Sequence, residues 1–138
     1  MNEMHPELIE TRSATLERVA GNVIELRFKP DVKLDVEGVT EVVIAKRRMC
    51  HNEEFDILVV FPPELDFELS VLGVAHDQAA GGCGLARRLA LAANSTFNER
   101  LANIYFRYLP REQETAVFLE EADARKWLTE ALPQPSLS

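Results

Sequence analysis

Residues 55–61 read Phe-Asp-Ile-Leu-Val-Val-Phe and are followed at once by Pro62-Pro63. A continuous apolar run that is too short for a helix and is stopped by two prolines predicts a strand buried in the centre of a sheet. Such a strand needs covering layers, and the segments around it carry helical signals. The chain is therefore expected to be α/β.

Upstream, residues 15–19 and 23–28 are β-prone runs separated by Ala20-Gly21-Asn22, and Gly-Asn supplies the positive φ angles of a tight hairpin. In the second run Ile24, Leu26 and Phe28 alternate with Glu25 and Arg27, which predicts one buried and one solvated face. Asp35 is the expected N-cap of a helix with Glu37 in its first turn and Val36, Val39, Val43 and Met49 on its inner stripe. Downstream, a short helix is expected from Ser70 to Ala79, ended by Gly81-Gly82-Cys83-Gly84, and a strand over residues 87–93. Thr96 and Glu99 have the spacing of a capping box and open a helix reaching Leu109 before Pro110. Residues 115–119 form the last strand. Ala124, Trp127, Leu128, Ala131 and Leu132 then recur at helical spacing. The predicted order is ββαβαβαβα, a mixed sheet flanked by helices, because crossovers between parallel strands lay each helix on a sheet face. Residues 13–132 are expected to form this single domain, between a loose tail at 1–12 and a disordered one at 133–138.

The 138 residues carry a formal charge of −8, which opposes contact with nucleic acid or anionic lipid. The basic cluster Lys46-Arg47-Arg48 falls at a helix end, where cations complement the dipole. No apolar run reaches the ~20 residues needed to span a bilayer, and the first residues lack the basic start and apolar stretch of a secretory signal. A soluble cytoplasmic protein without membrane insertion is expected. Cys50 and Cys83 match no zinc pattern, and with His51 and His76 their spacing is irregular, so no metal or other cofactor is expected. His76 and Asp77 are adjacent on a helix and point about 100° apart, which rules out an acid/base pair. No nucleophile, base and metal set assembles from the sequence, so the chain is read as a non-enzyme.

Three stretches carry a family resemblance. They are the strand Ile57-Leu58-Val59-Val60-Phe61, the helix end Ile104-Tyr105-Phe106-Arg107-Tyr108, and the closing Ala116-Val117-Phe118-Leu119-Glu120-Glu121-Ala122-Asp123-Ala124-Arg125-Lys126-Trp127-Leu128. Together with the element order they resemble the STAS family of SpoIIAA-like regulatory domains, over roughly residues 13–132. In that family a segment reading Asp-Ser-Ser-Gly-Leu-Gly-Val accepts phosphate from a partner kinase. The matching stretch here is Glu68-Leu69-Ser70-Val71-Leu72-Gly73-Val74, which places Ser70 on the second serine. The resemblance therefore implies a phospho-acceptor at Ser70 and a regulatory module working through a protein partner, akin to an anti-sigma-factor antagonist. Taken alone, Ser70 reads as a helix cap, a routine role that needs no kinase. The alternative function is binding of a small molecule or lipid, with Phe67, Phe97, Tyr105 and Phe106 lining a groove. A homodimer is also expected, through the flank of the 97–109 helix around Phe106 and Leu109, since the apolar sector of that helix is wider than packing on a sheet requires.

Overall fold

The apolar run at residues 55–61 is indeed a strand over Phe55–Val60, buried on both faces. The computed structural model describes residues 8–19, 23–49, 55–68, 86–108 and 114–130, with the side chains of residues 86 and 105–108 outside that description. Six strands form one sheet in sequence order: β1 (Leu8–Glu10), β2 (Ala14–Val19), β3 (Val23–Phe28), β4 (Phe55–Val60), β5 (Ala86–Ala92) and β6 (Glu114–Phe118). β1 to β3 pair antiparallel, and β3 to β6 pair parallel. The helices are α1 (Val36–Met49), α2 (Thr96–Tyr108) and α3 (Glu121–Glu130). This is an α/β fold with a mixed sheet. The helix expected from Ser70 lies outside the described residues. No helix among the described residues is long and apolar enough to cross a membrane.

Parallel strands added in one direction put their crossover helices on one face. On that face Val42, Ala45 and Met49 of α1 and Ala102 of α2 pack on Leu16, Ile24, Leu26, Ile57, Val59 and Leu91. α3 covers the other face, where Ala124, Leu128 and Trp127 meet Leu58, Val60, Ala90 and Ala92. β4 lies between β3 and β5, and all six of its residues are buried. Residues on both of its faces therefore contribute to a core, as the apolar run requires.

α1 begins as the sequence predicts: Asp35 Oδ1 accepts the Gly38 N–H at 2.8 Å. That bond, with Arg12 nearby, holds the Asp35 carboxyl below its usual range. Gly38 is buried, and a Cβ there would clash with Ser13 Oγ, so α1 approaches β2 more closely than a larger residue allows. Val36, expected on the inner stripe, is exposed. The inward direction centres instead on Gly38, Val42, Ala45 and Met49, with Val39 and Val43 on a flank against Leu34.

The loose tail expected through residue 12 is corrected at Leu8–Glu10. These residues form the edge strand, with Ile9 opposite Leu16, and Lys29 reaches Glu10 at 2.7 Å. Thr11 turns the chain back by accepting the N–H of Ala14 on its hydroxyl at 3.1 Å. Three residues are too few to carry a period, and their state is fixed by the neighbouring strand.

Candidate functional site

β3, β4 and β5 run parallel, so the loops leaving their carboxyl ends gather at one edge of the sheet, where ligands of open α/β sheets bind. An open cleft of about 870 Å3 lies there. Its walls come from Asp31, Val32 and Lys33 after β3, from Pro63, Glu64, Leu65 and Asp66 after β4, and from Ser95, Phe97 and Asn98 at the start of α2.

The α2 wall is rigidly built. Ser95 is the N-cap: its Oγ accepts the N–H of Asn98 at 3.1 Å, and its carbonyl accepts the N–H of Glu99 at 3.0 Å. The cap therefore sits one residue before the Thr96 expected from the sequence. Asn98 is 2% exposed, and its Nδ2 faces the carbonyls of Ala93 (3.0 Å), Pro62 (3.0 Å) and Pro63 (3.3 Å). One amide thus ties α2 to the end of β5 and to the loop after β4. Asn94 adds a second tie, donating from Nδ2 to the Phe61 carbonyl at 2.7 Å. Its φ of 61° and that of Asp31, 63°, are left-handed, a region Asn and Asp enter more readily than other non-glycine residues. The loop after β4 is held from the other side by Leu34, whose N–H donates to Asp66 O at 2.8 Å and whose carbonyl accepts from Glu68 N at 3.0 Å.

On this framework Phe97 stands 68% exposed, and two turns further along α2 Ile104 is 52% exposed. Residues seven apart share a helix face. The exposed flank of α2 among the described side chains is therefore the Phe97/Ile104 side, while Asn98 and Ala102 point inward. Among the described lining residues Asp31, Glu64 and Asp66 bring three exposed carboxylates to the cleft against one ammonium, that of Lys33.

Two further polar clusters lie elsewhere. At the amino ends of the parallel strands, Asp56 of β4 is 1% exposed and forms a cross-strand row with Arg88 and Glu114. Phe55 pairs with Ala86 but Asp56 with Arg88, so Arg87 is an inserted residue, and the bulge brings two consecutive arginines to one carboxylate. Arg87 Nη2 donates to Asp56 Oδ2 at 3.3 Å, and Arg88 Nη1 lies 4.0 Å from Oδ1.

On the α3 face, Arg27 of β3 grips Glu121 with both Nη atoms at 3.1 and 2.6 Å, and Arg125 reaches Glu25 at 2.6 Å and Glu121 at 2.9 Å. The solvated face expected for Glu25 and Arg27 is thereby corrected: α3 covers it, Glu25 is buried and Arg27 is half-buried. The hydrogen bonds from Arg27, then from Arg125, lower the Glu121 carboxyl despite partial burial. A carboxyl lowered on folding stabilises the fold above its unfolded value, and that stability is lost as pH falls through the folded value. The urea midpoint of the wild type is therefore expected to drop between about pH 5 and pH 3. Glu121→Gln should cost about 1 kcal/mol at neutral pH and flatten that drop. A Glu121→Gln profile parallel to wild type would assign the acid sensitivity to other carboxylates, such as Glu10 beside Lys29.

The residues singled out from the sequence are only partly brought together. Phe97 lines the cleft, whereas Phe67 packs on the cluster of Leu34, Val39 and Val43 and is not part of the cleft wall. Tyr105 and Phe106 lie on α2 with side chains outside the description, and Ser70, Cys83 and Leu109 lie outside the described residues. Among the described residues no group of three His, Cys, Asp or Glu side chains is placed to hold a metal ion. Asn98 and Ser95 were not legible as site builders, since each resembles an ordinary polar residue at a helix start.

Over residues 18–132 the chain matches the family described as a domain of unknown function, DUF7793. It belongs to that family. No curated protein and no solved structure matches the chain. The DUF7793 match runs from within β2 to just past α3, so it takes in the cleft and both ion clusters, while β1 precedes it.

Proposed function

We propose that this protein is a non-enzymatic regulatory module of STAS type, which docks a protein partner on the cleft at the carboxyl ends of β3, β4 and β5. The observation that carries this reading is Phe97, an aromatic ring left 68% exposed on a hydrogen-bonded wall. Large aromatics presented by a pre-organised surface are typical anchors of protein interfaces. Ile104 on the same helix face extends the apolar contact beyond the cleft. The cleft is open and rimmed by exposed charges, which suits a protein segment better than a small ligand that needs most of its surface enclosed. Among the described lining residues there is no histidine or cysteine, and the Ser95 hydroxyl is engaged as a cap. The resemblance to STAS regulators supports the same reading. The same resemblance places a phospho-acceptor at Ser70, where a phosphate would add negative charge to the chain.

The test is capture from the native cell with wild-type protein, a Phe97→Glu/Ile104→Glu variant and Ser70→Asp. Wild type is expected to retain a stoichiometric partner, either another protein or a second copy visible by light scattering as a dimer, and the double variant to lose it with its melting curve unchanged. Loss or gain of that partner with Ser70→Asp would support the phospho-switch. A wild type that stays monomeric and retains nothing, or a partner indifferent to Phe97 and Ile104, would overturn the reading.

A further inference from the structure

Resting on the docking reading above, we infer that the segment received by the cleft is basic, with Lys or Arg side chains flanking one apolar anchor. The rim carboxylates come from two separate loops: Asp31 precedes α1, and Glu64 and Asp66 follow β4. All three are exposed, and among the described lining residues only Lys33 opposes them. The chain as a whole carries a charge of −8, so the long-range field has the same sign as the local one. Such a field accelerates the encounter with a cationic partner and repels an acidic one. Phe97 lines the same cleft and supplies a face for an apolar side chain or for a guanidinium stacked on the ring.

The start of α2 does not reverse this preference. A helix N-terminus attracts anions through its free N–H groups, but the N–H of Asn98 is already taken by Ser95 Oγ. Asn98 Nδ2 is turned to the carbonyls of Ala93, Pro62 and Pro63 and away from any incoming acceptor. An anion entering here would meet three carboxylates and find those donors occupied. A cation finds acceptors on two sides and an aromatic face.

The experiment uses the full chain and two fluorescent synthetic peptides of equal length, each with one central Trp, one flanked by Lys and Arg and the other by Asp and Glu. Binding is followed by anisotropy at low and high salt. The basic peptide is expected to bind and the acidic one not. Asp31→Asn/Glu64→Gln/Asp66→Asn should weaken the basic peptide about tenfold, and added salt should have a similar effect on wild type. Asn is chosen at position 31 because it tolerates the left-handed φ there. Equal binding of both peptides, no binding of the basic one, or an unchanged affinity in the triple variant overturns the inference. Phe97→Ala separates the two levels. If it abolishes binding of both peptides while the triple variant does not weaken either, the docking site stands and its preference for a basic segment fails.

Discussion

Val59→Asp is expected to leave a chain with no cooperative unfolding transition. Val59 lies in the central strand, paired with Leu26 on one side and Leu91 on the other, and it packs in the cluster shared by α1 and α2. It is 7% exposed. An unpaired carboxylate there costs at least several kcal/mol, against a total stability of about 5–15 kcal/mol for a domain of ordinary size. The same strand already holds a carboxylate three residues earlier, at Asp56, and the contrast shows what makes one tolerable. Asp56 has Arg87 and Arg88 brought to it by the β5 bulge, while Val59 is paired with Leu26 and Leu91 and clustered with other apolar side chains. Circular dichroism and urea titration decide the outcome. A variant that melts cooperatively within about 1 kcal/mol of wild type would show that this face of β4 does not hold the fold. Val59→Thr serves as the control, since it keeps the shape and replaces one methyl with a hydroxyl, with an expected loss of about 1–3 kcal/mol.

The contrast between Val59 and Asp56 also marks how far the sequence could be read. Elements whose signal is local were legible: the apolar run of β4, the hairpin of β2 and β3, the Asp35 cap, and the Ala124/Leu128 stripe of α3. What escaped depends on residues distant in the chain. Glu25 and Arg27 alternate with Ile24, Leu26 and Phe28 as a solvated face would, but their partners Glu121 and Arg125 are about a hundred residues away and arrive with a covering helix. Alternation reports that two faces differ, not that the polar one meets water. Arg87 and Arg88 look like a surface pair until the register shift turns both toward Asp56. On α2 the polar Asn98 is likewise buried by partners that lie elsewhere in the chain. The carbonyls that bury Asn98 belong to Pro62, Pro63 and Ala93, and nothing local to the helix announces the two prolines.

Asn98→Asp should accordingly be among the most damaging substitutions of a single polar residue. It keeps the size and the helix position of Asn98 and replaces a donating NH2 with a carboxylate oxygen facing three carbonyls. Each carbonyl that loses its partner costs about 1–3 kcal/mol, and burial of the new charge adds to that, so a loss of about 3–6 kcal/mol is expected at neutral pH. The carboxyl would be forced above its usual range by burial and by the lone pairs around it. For such an acid the penalty is fully present above the raised folded value and is relieved as pH falls through it, because the protonated form regains one donor. The deficit against wild type should therefore narrow on acidification, here because a destabilising carboxylate is protonated in the variant and not, as for Glu121, because wild type loses a stabilising one. Asn98→Leu has no proton to gain, so its deficit should not vary with pH. Urea midpoints of the three proteins between about pH 7 and pH 4 give the comparison. A deficit in Asn98→Asp that is below about 1 kcal/mol, or that does not narrow, would mean that the amide does not tie α2 to the loop after β4. The rigid wall on which Phe97 is displayed would then need another cause.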